Sequence, residues 1–203
     1  YVKINPINVT VTITGHTDST KYDGTEHTVT GYDVSISNPL YTEADFTFSG
    51  EATATRKEVG TEYMHLDESQ FVNTNTDFGT VTFNITDGYQ TISGANEVVV
   101  TIVGTQQTYD YDGETHTVTG YTVTSISNPL FTESMITFNG TASASRTDVV
   151  EGTDTDGQTD MGLTPAMFAS NDPNFPTVTF NVTDGYVKIN PINVTVTITG
   201  HTD

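Results

Sequence analysis

The residues best equipped for chemistry lie in one acidic stretch, Asp154, Thr155, Asp156, Gly157, Gln158, Thr159 and Asp160, with Asp148 and Glu151 nearby. Carboxylate oxygens at this density are the hard ligands that Ca²⁺ takes. Asp154, Asp156 and Asp160 are the candidate ligands. The stretch lacks the full spacing of an EF-hand loop and the bidentate Glu that closes one. A solvated acidic loop in an acidic chain accounts for the same letters without a cation.

Other chemistry finds less support. His27 and His116 occupy equivalent places, yet the residues beside them at metal-ligand spacing are only Glu26 and Glu114, so they read as exposed turn histidines. Paired-carboxylate hydrolysis needs two acids held close with their pKa values pushed apart. The 26 acids are scattered over predicted loops, and no pair is singled out. There is no Gly-x-Ser-x-Gly elbow and no phosphate-binding loop. An enzyme is not expected, nor a resident cofactor beyond the Ca²⁺ candidate. Lys188 and its duplicate Lys3 are the donors available for a Lys to Asn isopeptide cross-link, but the counterpart of Lys188 in the other half is Thr91. Tyr22, Tyr41, Tyr111 and Tyr121 could stack on sugar rings or pack a core. Five Asn-x-Thr sequons, at Asn8, Asn84, Asn139, Asn181 and Asn193, have meaning only where a matching transferase exists.

Composition narrows the partners. The net charge is -20, with six Lys and Arg against 26 Asp and Glu, so nucleic acid and anionic lipid surfaces are repelled. With no cysteine there are no disulfides, thiolate metal sites or Cys nucleophiles. No apolar run reaches the roughly 18 residues that a membrane-spanning helix needs, so membrane insertion is not expected. The opening letters YVKINPINV resemble neither a signal peptide nor a natural start, and the sequence reads as a slice of something longer. Thr makes up about a fifth of the chain, and Val, Ile, Tyr and Phe are abundant, which favours a pleated, half-buried surface over helix.

The chain repeats at two levels. Tyr22-Asp23-Gly24 and Thr28 to Tyr32 (TVTGY) align with Tyr111-Asp112-Gly113 and Thr117 to Tyr121. Ser35 to Leu40 (SISNPL) aligns with Ser125 to Leu130, Val81 to Asn84 (VTFN) with Val178 to Asn181, and Asp87-Gly88-Tyr89 with Asp184-Gly185-Tyr186. One copy is therefore about 90 residues, an ordinary small-domain size. The second level is an identity: residues 1–18 and 186–203 both read YVKINPINVTVTITGHTD. The two copies are thus expected to alternate with a period of 185 residues (186 minus 1). The expected segments are 1–7, the closing strand of a preceding repeat; 8–95, repeat domain 1; 96–192, repeat domain 2; and 193–203, the opening strand of a following repeat.

Elements that would carry these loops follow from periodicity. Val9, Val11 and Ile13 alternate with Thr10, Thr12 and Thr14, the period-2 pattern of a half-buried strand. Further strands are expected at Thr28 to Ile36, at Phe46 to Phe48 extending to Thr55, and at Tyr63 to Leu66. Val81 to Ile85 and Tyr89 to Ile92 are expected to form a hairpin across Asp87-Gly88. One helical turn is suggested at Leu66 to Phe71 and, in the second copy, at Leu163 to Phe168, where Pro165 suits the first helical position. The class is mainly β: two tandem β-sandwich (Ig-like) domains with at most a short helix each, the alternative being a β-grasp-like α+β fold.

The succession of opening strand, Tyr-Asp-Gly, Val59-Gly60-Thr61, an Asn-rich loop with Phe78, and a closing strand Tyr186 to Ile189 followed by Pro resembles the MBG-type repeats of bacterial surface proteins, and covers both copies. The second copy departs by replacing Val59 to Thr61 with the longer Val149 to Asp160, and the first has Ser93-Gly94-Ala95 where the second has a Pro. The resemblance implies an extracellular structural repeat, stalk or fibre, of an adhesin-like protein on the bacterial cell surface, extending and spacing a distal binding region. Its partners would be neighbouring repeats of the same chain. Alternatives are a module binding host glycans or glycoproteins, and a filament subunit that self-associates head to tail by strand addition.

Overall fold

The computed structural model describes residues 1–152 and 156–201. The chain divides into two compact units, Tyr1–Asn96 and Glu97–Asp203, and each is mainly β.

The first unit holds β1 (Ile7–Gly15), β2 (Thr17–Lys21), β3 (His27–Thr30), β4 (Tyr32–Ile36), β5 (Phe46–Phe48), β6 (Thr53–Arg56), β7 (Gly60–Tyr63), β8 (Phe71–Asn73), β9 (Phe78–Thr86) and β10 (Tyr89–Ser93). The alternation in β1 places Val9, Val11 and Ile13 in the core, at 2%, 0% and 0% exposure, and turns Thr10 and Thr14 outward. β1 is the middle strand of its sheet, antiparallel to β4 and parallel to β9. β10 is likewise central, parallel to β2 and antiparallel to β7. β3 pairs with β6, and β5 with β8, each antiparallel.

The expected hairpin of Val81 to Ile85 with Tyr89 to Ile92 is not formed. β9 and β10 lie in different sheets, and each pairs with a different segment of the opening strand. The Asp87-Gly88 step bends the chain without reversing it, because both glycines of the crossing point are used for close approach. A Cβ on Gly15 would stand 2.3 Å from Gly88 N, and one on Gly88 would stand 2.4 Å from His16 O. Two backbones therefore touch where side chains would hold them apart. Asp87 fixes the bend by accepting from the His65 and Leu66 amides at 3.1 and 3.0 Å.

Other boundaries also shift. Gly31, at φ +87°, splits the Thr28 to Ile36 run into β3 and β4. The strand expected at Tyr63 to Leu66 ends at Tyr63, since His65 takes φ +58° and the chain there turns Met64 and Leu66 into the core. The run from Phe46 to Thr55 breaks between β5 and β6 around Gly50. The helical suggestion at Leu66 to Phe71 is a single 3-10 turn, Glu68–Gln70, capped by Asp67, which accepts from the Ser69 amide at 2.8 Å. A second such turn, Glu43–Asp45, was not expected; Asp45 accepts there from the Thr42 amide at 2.7 Å.

The second unit repeats this plan with β11 (Val98–Gly104), β12 (Gln106–Asp110), β13 (His116–Thr119), β14 (Tyr121–Ile126), β15 (Thr137–Phe138), β16 (Ser143–Arg146), β17 (Gln158–Asp160), β18 (Phe168–Ala169), β19 (Val178–Thr183) and β20 (Tyr186–Asn190). β11 pairs antiparallel with β14 and parallel with β19, and β12 pairs parallel with β20. The crossing point recurs: a Cβ on Gly104 would meet Gly185 N at 2.3 Å, and Asp184 accepts from the Gly162 and Leu163 amides at 2.9 Å each.

Aromatic rings fill both cores. Phe48 stacks on Phe71 at 4.7 Å between centroids, and Tyr32 meets Phe48 edge-on at 5.2 Å. Tyr121, Phe138 and Phe168 form the equivalent group, at 4.9 to 5.1 Å. Such geometries add to simple area burial.

Candidate functional site

The acidic insertion is held at its two feet by one buried cation. Arg146, at the end of β16, is 2% exposed. Its Nε donates to Asp148 O at 2.8 Å and its Nη2 to Val149 O at 2.8 Å. Its Nη1 reaches across to Gln158 O at 2.7 Å and Thr159 Oγ1 at 3.1 Å. A planar guanidinium with five fixed donors suits this task, because several carbonyls at the mouth of a loop can be bonded by one side chain. Gly157, at φ +75°, closes the second foot: its carbonyl accepts from the Ile189 amide at 2.7 Å, and a Cβ there would stand 2.4 Å from Ile189 O.

The first unit has the same device in shorter form. Arg56 donates through Nε to Glu58 O at 2.9 Å and through Nη2 to Val59 O at 2.8 Å, with Nη1 3.6 Å from Glu62 Oε2. Gly60, at φ +135°, leaves the room that the guanidinium fills, since a Cβ would stand 2.2 Å from Nη2. The insertion has thus lengthened a loop whose anchor was already present. Sequence reading missed this anchor, although Arg at the same place in both copies, among six cations in all, was a usable signal.

Of the three candidate Ca²⁺ ligands, Asp154 lies outside the described residues. Asp156 accepts from the Gln158 amide at 2.9 Å and Asp160 from Gln158 Nε2 at 2.8 Å. Glu151 accepts from the Thr147 and Asp148 amides at 2.9 and 3.1 Å. These carboxylates act as local turn caps. Among the described residues no group of three or more metal-ligating side chains stands together.

The histidines are better placed than their spacing suggested. They are partly buried, with side chains 25% and 20% exposed, and each pairs with the Asp of the Tyr-Asp-Gly turn four residues earlier. His27 Nε2 is 3.1 Å from Asp23 Oδ1, and His116 Nε2 is 3.1 Å from Asp112 Oδ2. His116 also stacks on Tyr109 at 4.0 Å. This arrangement closes a turn. Asp23 accepts from the Thr25 hydroxyl and amide at 2.7 and 2.9 Å, and these bonds, aided by His27, hold its pKa down to about 2.

A pH dependence follows. Because the folded-state pKa of Asp23 lies below the ordinary 3.8, its contribution to stability is complete above that value and is lost as the pH falls through about 2. Thermal unfolding should therefore show the wild-type chain more stable than Asp23→Ala at about pH 5, with the gap much narrowed near pH 2, because protonation removes the charge-assisted bonds that the substitution deletes. A gap that persists unchanged at pH 2 contradicts this account of the turn.

The four candidate stacking tyrosines separate, Tyr22 being half-buried with its amide donating to Ser93 O at 2.8 Å. Tyr41 is 2% exposed, its hydroxyl within 3.0 Å of Asp45 O and 2.9 Å of Asn73 Oδ1. Tyr121 belongs to the core group described above. Tyr111 is 38% exposed. It lines an open cleft of about 480 Å³ in the second unit with Asp148, Val149, Val150, Pro191, Ile192 and Val194. The lining of the cleft is mostly apolar, with Tyr111 and Asp148 the residues that carry polar side-chain groups. Lys188 lies on β20 in register with Thr108 and Gln158. In the first unit, Lys21 donates to Asn96 Oδ1.

The duplicated stretch adopts opposite states in its two occurrences. At 186–190 YVKIN is β20, with Val187 and Ile189 at 0% and 1% exposure; at 1–5 it is unpaired, with Val2 and Ile4 both 89% exposed. The letters INVTVTITG reverse the relation. At 7–15 they form the buried β1, whereas at 192–200 they carry no strand and Val194, Val196 and Ile198 are 75%, 75% and 88% exposed.

No known protein family, no curated protein and no solved structure matches the chain.

Proposed function

We propose that the chain is an extracellular structural repeat, a length of stalk or fibre from an adhesin-like protein of the bacterial surface, which extends and spaces rather than catalyses. The observation that carries this reading is the duplicated 18-residue stretch. Its first half completes a unit at 186–190 and its second half opens one at 7–15, so the whole stretch is a joint between consecutive units. Only Pro191 and Ile192 separate the last residue of β20 from the repeated Asn-Val-Thr-Val-Thr.

The units are read as MBG-type, Ig-like sandwiches. The 3-10 turn Glu68–Gln70, where a β-grasp domain would place its helix, supports this, while the parallel pairing of β1 with β9 is the feature shared with the β-grasp alternative. Neighbouring repeats are then the partners, and the charge of -20 keeps adjacent stalks soluble and apart. The two feet of the acidic loop are held by Arg146. The glycan-binding alternative rests on the open cleft beside Tyr111, whose lining is mostly apolar.

The test is to lengthen the chain by fusing a copy of residues 19–96 after residue 203. The extended chain should hold a third folded unit and bind no glycan of a mixed panel. A third unit that stays unfolded contradicts the tandem reading, and saturable sugar binding by the 203-residue chain replaces spacing with recognition.

A further inference from the structure

We propose that residues 192–200 of one copy of this chain occupy the β1 place in the first unit of another copy, so that the protein assembles by strand exchange. This shares with the tandem reading the premise that the segment is a competent opening strand, and adds that its host can be a second molecule.

Identity of sequence is the first ground. INVTVTITG at 192–200 repeats β1 letter for letter, so every pairing and packing partner of β1 accepts the incoming segment unchanged. Val194, Val196 and Ile198 would fill the places of Val9, Val11 and Ile13.

The vacancy and the donor also match in kind. β1 is central, so its removal would leave β4 and β9 with unpaired edges along Tyr32–Ile36 and Phe78–Thr86. Unpaired edges are templates for an extended segment of another chain. The donor carries no strand pairing and its apolar side chains are exposed, so it sacrifices no ladder to move. Exposed β-branched side chains at period 2 beside an identical buried set are a pattern that burial drives together.

In the intact chain the place is filled from within, by residues tethered a short loop away at high effective concentration. Exchange is therefore slow and concentration-dependent there, and becomes the only route when residues 1–18 are removed. The contact joins two different surfaces, so copies can link in series or close into a ring.

The experiment compares three proteins by light scattering and amide exchange. A chain lacking residues 1–18 should shift from monomer to dimer and larger masses, with loss of fast exchange at Val194 to Ile198. A synthetic peptide of residues 7–21 should return it to monomer. The same deletion carrying Val196→Asp and Ile198→Asp should stay monomeric, yet still fold its first unit on adding the peptide. Deleted chains that remain monomeric while the peptide binds overturn the exchange, and leave the tandem reading standing if the extended chain described above folds its third unit. Should the deleted chain not fold even with peptide, the whole chain decides: it should form dimers after concentrated refolding from denaturant, and exclusive return to monomer overturns the proposal.

Discussion

Replacing Arg146 with Ala should lower the thermal midpoint of the second unit by roughly 10–30 °C, since losing a buried charged donor costs about 2–4 kcal/mol and each kcal/mol is worth about 4–8 °C in a domain of this size. The reason is what remains behind. The Asp148, Val149 and Gln158 carbonyls that the guanidinium satisfies would lose that donor, and the space of a residue only 2% exposed would be left empty. Arg146→Lys should recover little, because a point ammonium cannot reach both feet of the loop with fixed geometry. Arg56→Ala is the internal comparison and should cost less. Its side chain is 28% exposed, and its hydrogen bonds to Glu58 O and Val59 O lie on one side of its loop only. Thermal unfolding followed by the amide signals of each unit separates the two effects. Equal losses at Arg56 and Arg146 would mean that burial does not govern the anchor.

Substituting the same letter at its two occurrences should give opposite results. Ile13→Ala removes a side chain of 0% exposure from the middle of β1 and should cost about 2–5 kcal/mol, the range for a buried large-to-small change that leaves a cavity. Ile198→Ala, in an identical local sequence but 88% exposed, should change stability by less than about 0.5 kcal/mol. Chemical denaturation of the two variants measures both. The pair tests whether placement, rather than the strand propensity of the letters, confers the stability: propensity is common to both sites, and only one has a core to fill. Comparable losses at the two positions would show that the 192–200 segment is already packed in the 203-residue chain.

The predominance of β structure, the homology of the halves and the buried face of β1 were legible from letters alone. Period-2 alternation of Val and Ile with Thr has one physical meaning when a single face is buried. The relation of β9 to β10 was not legible, because Asp-Gly is both a hairpin turn and, as at Asp87-Gly88, a bend that lets two backbones touch. Only the position of Gly15 opposite Gly88, distant in sequence, decides between them. The same holds for the site. Acidity drew attention to Asp154, Asp156 and Asp160, but carboxylates on a loop announce themselves whether or not they converge. The groups that organise that loop are an Arg and two carbonyl feet, and backbone carbonyls leave no trace in a sequence. The Asp23 and His27 pair was within reach, since the four-residue spacing recurs at Asp112 and His116, yet its role in closing a turn depends on a backbone path that spacing alone does not specify.

The central claim is that residues 186–203 form a joint whose second half opens a further unit. The most direct measurement is amide hydrogen exchange at Val194, Val196 and Ile198 in the 203-residue chain and in the chain extended by residues 19–96. The account predicts fast exchange at all three in the first protein, at dilution, and protection in the second equal to that of Val9, Val11 and Ile13. Fast exchange in the extended chain, with 186–190 still protected, would contradict it.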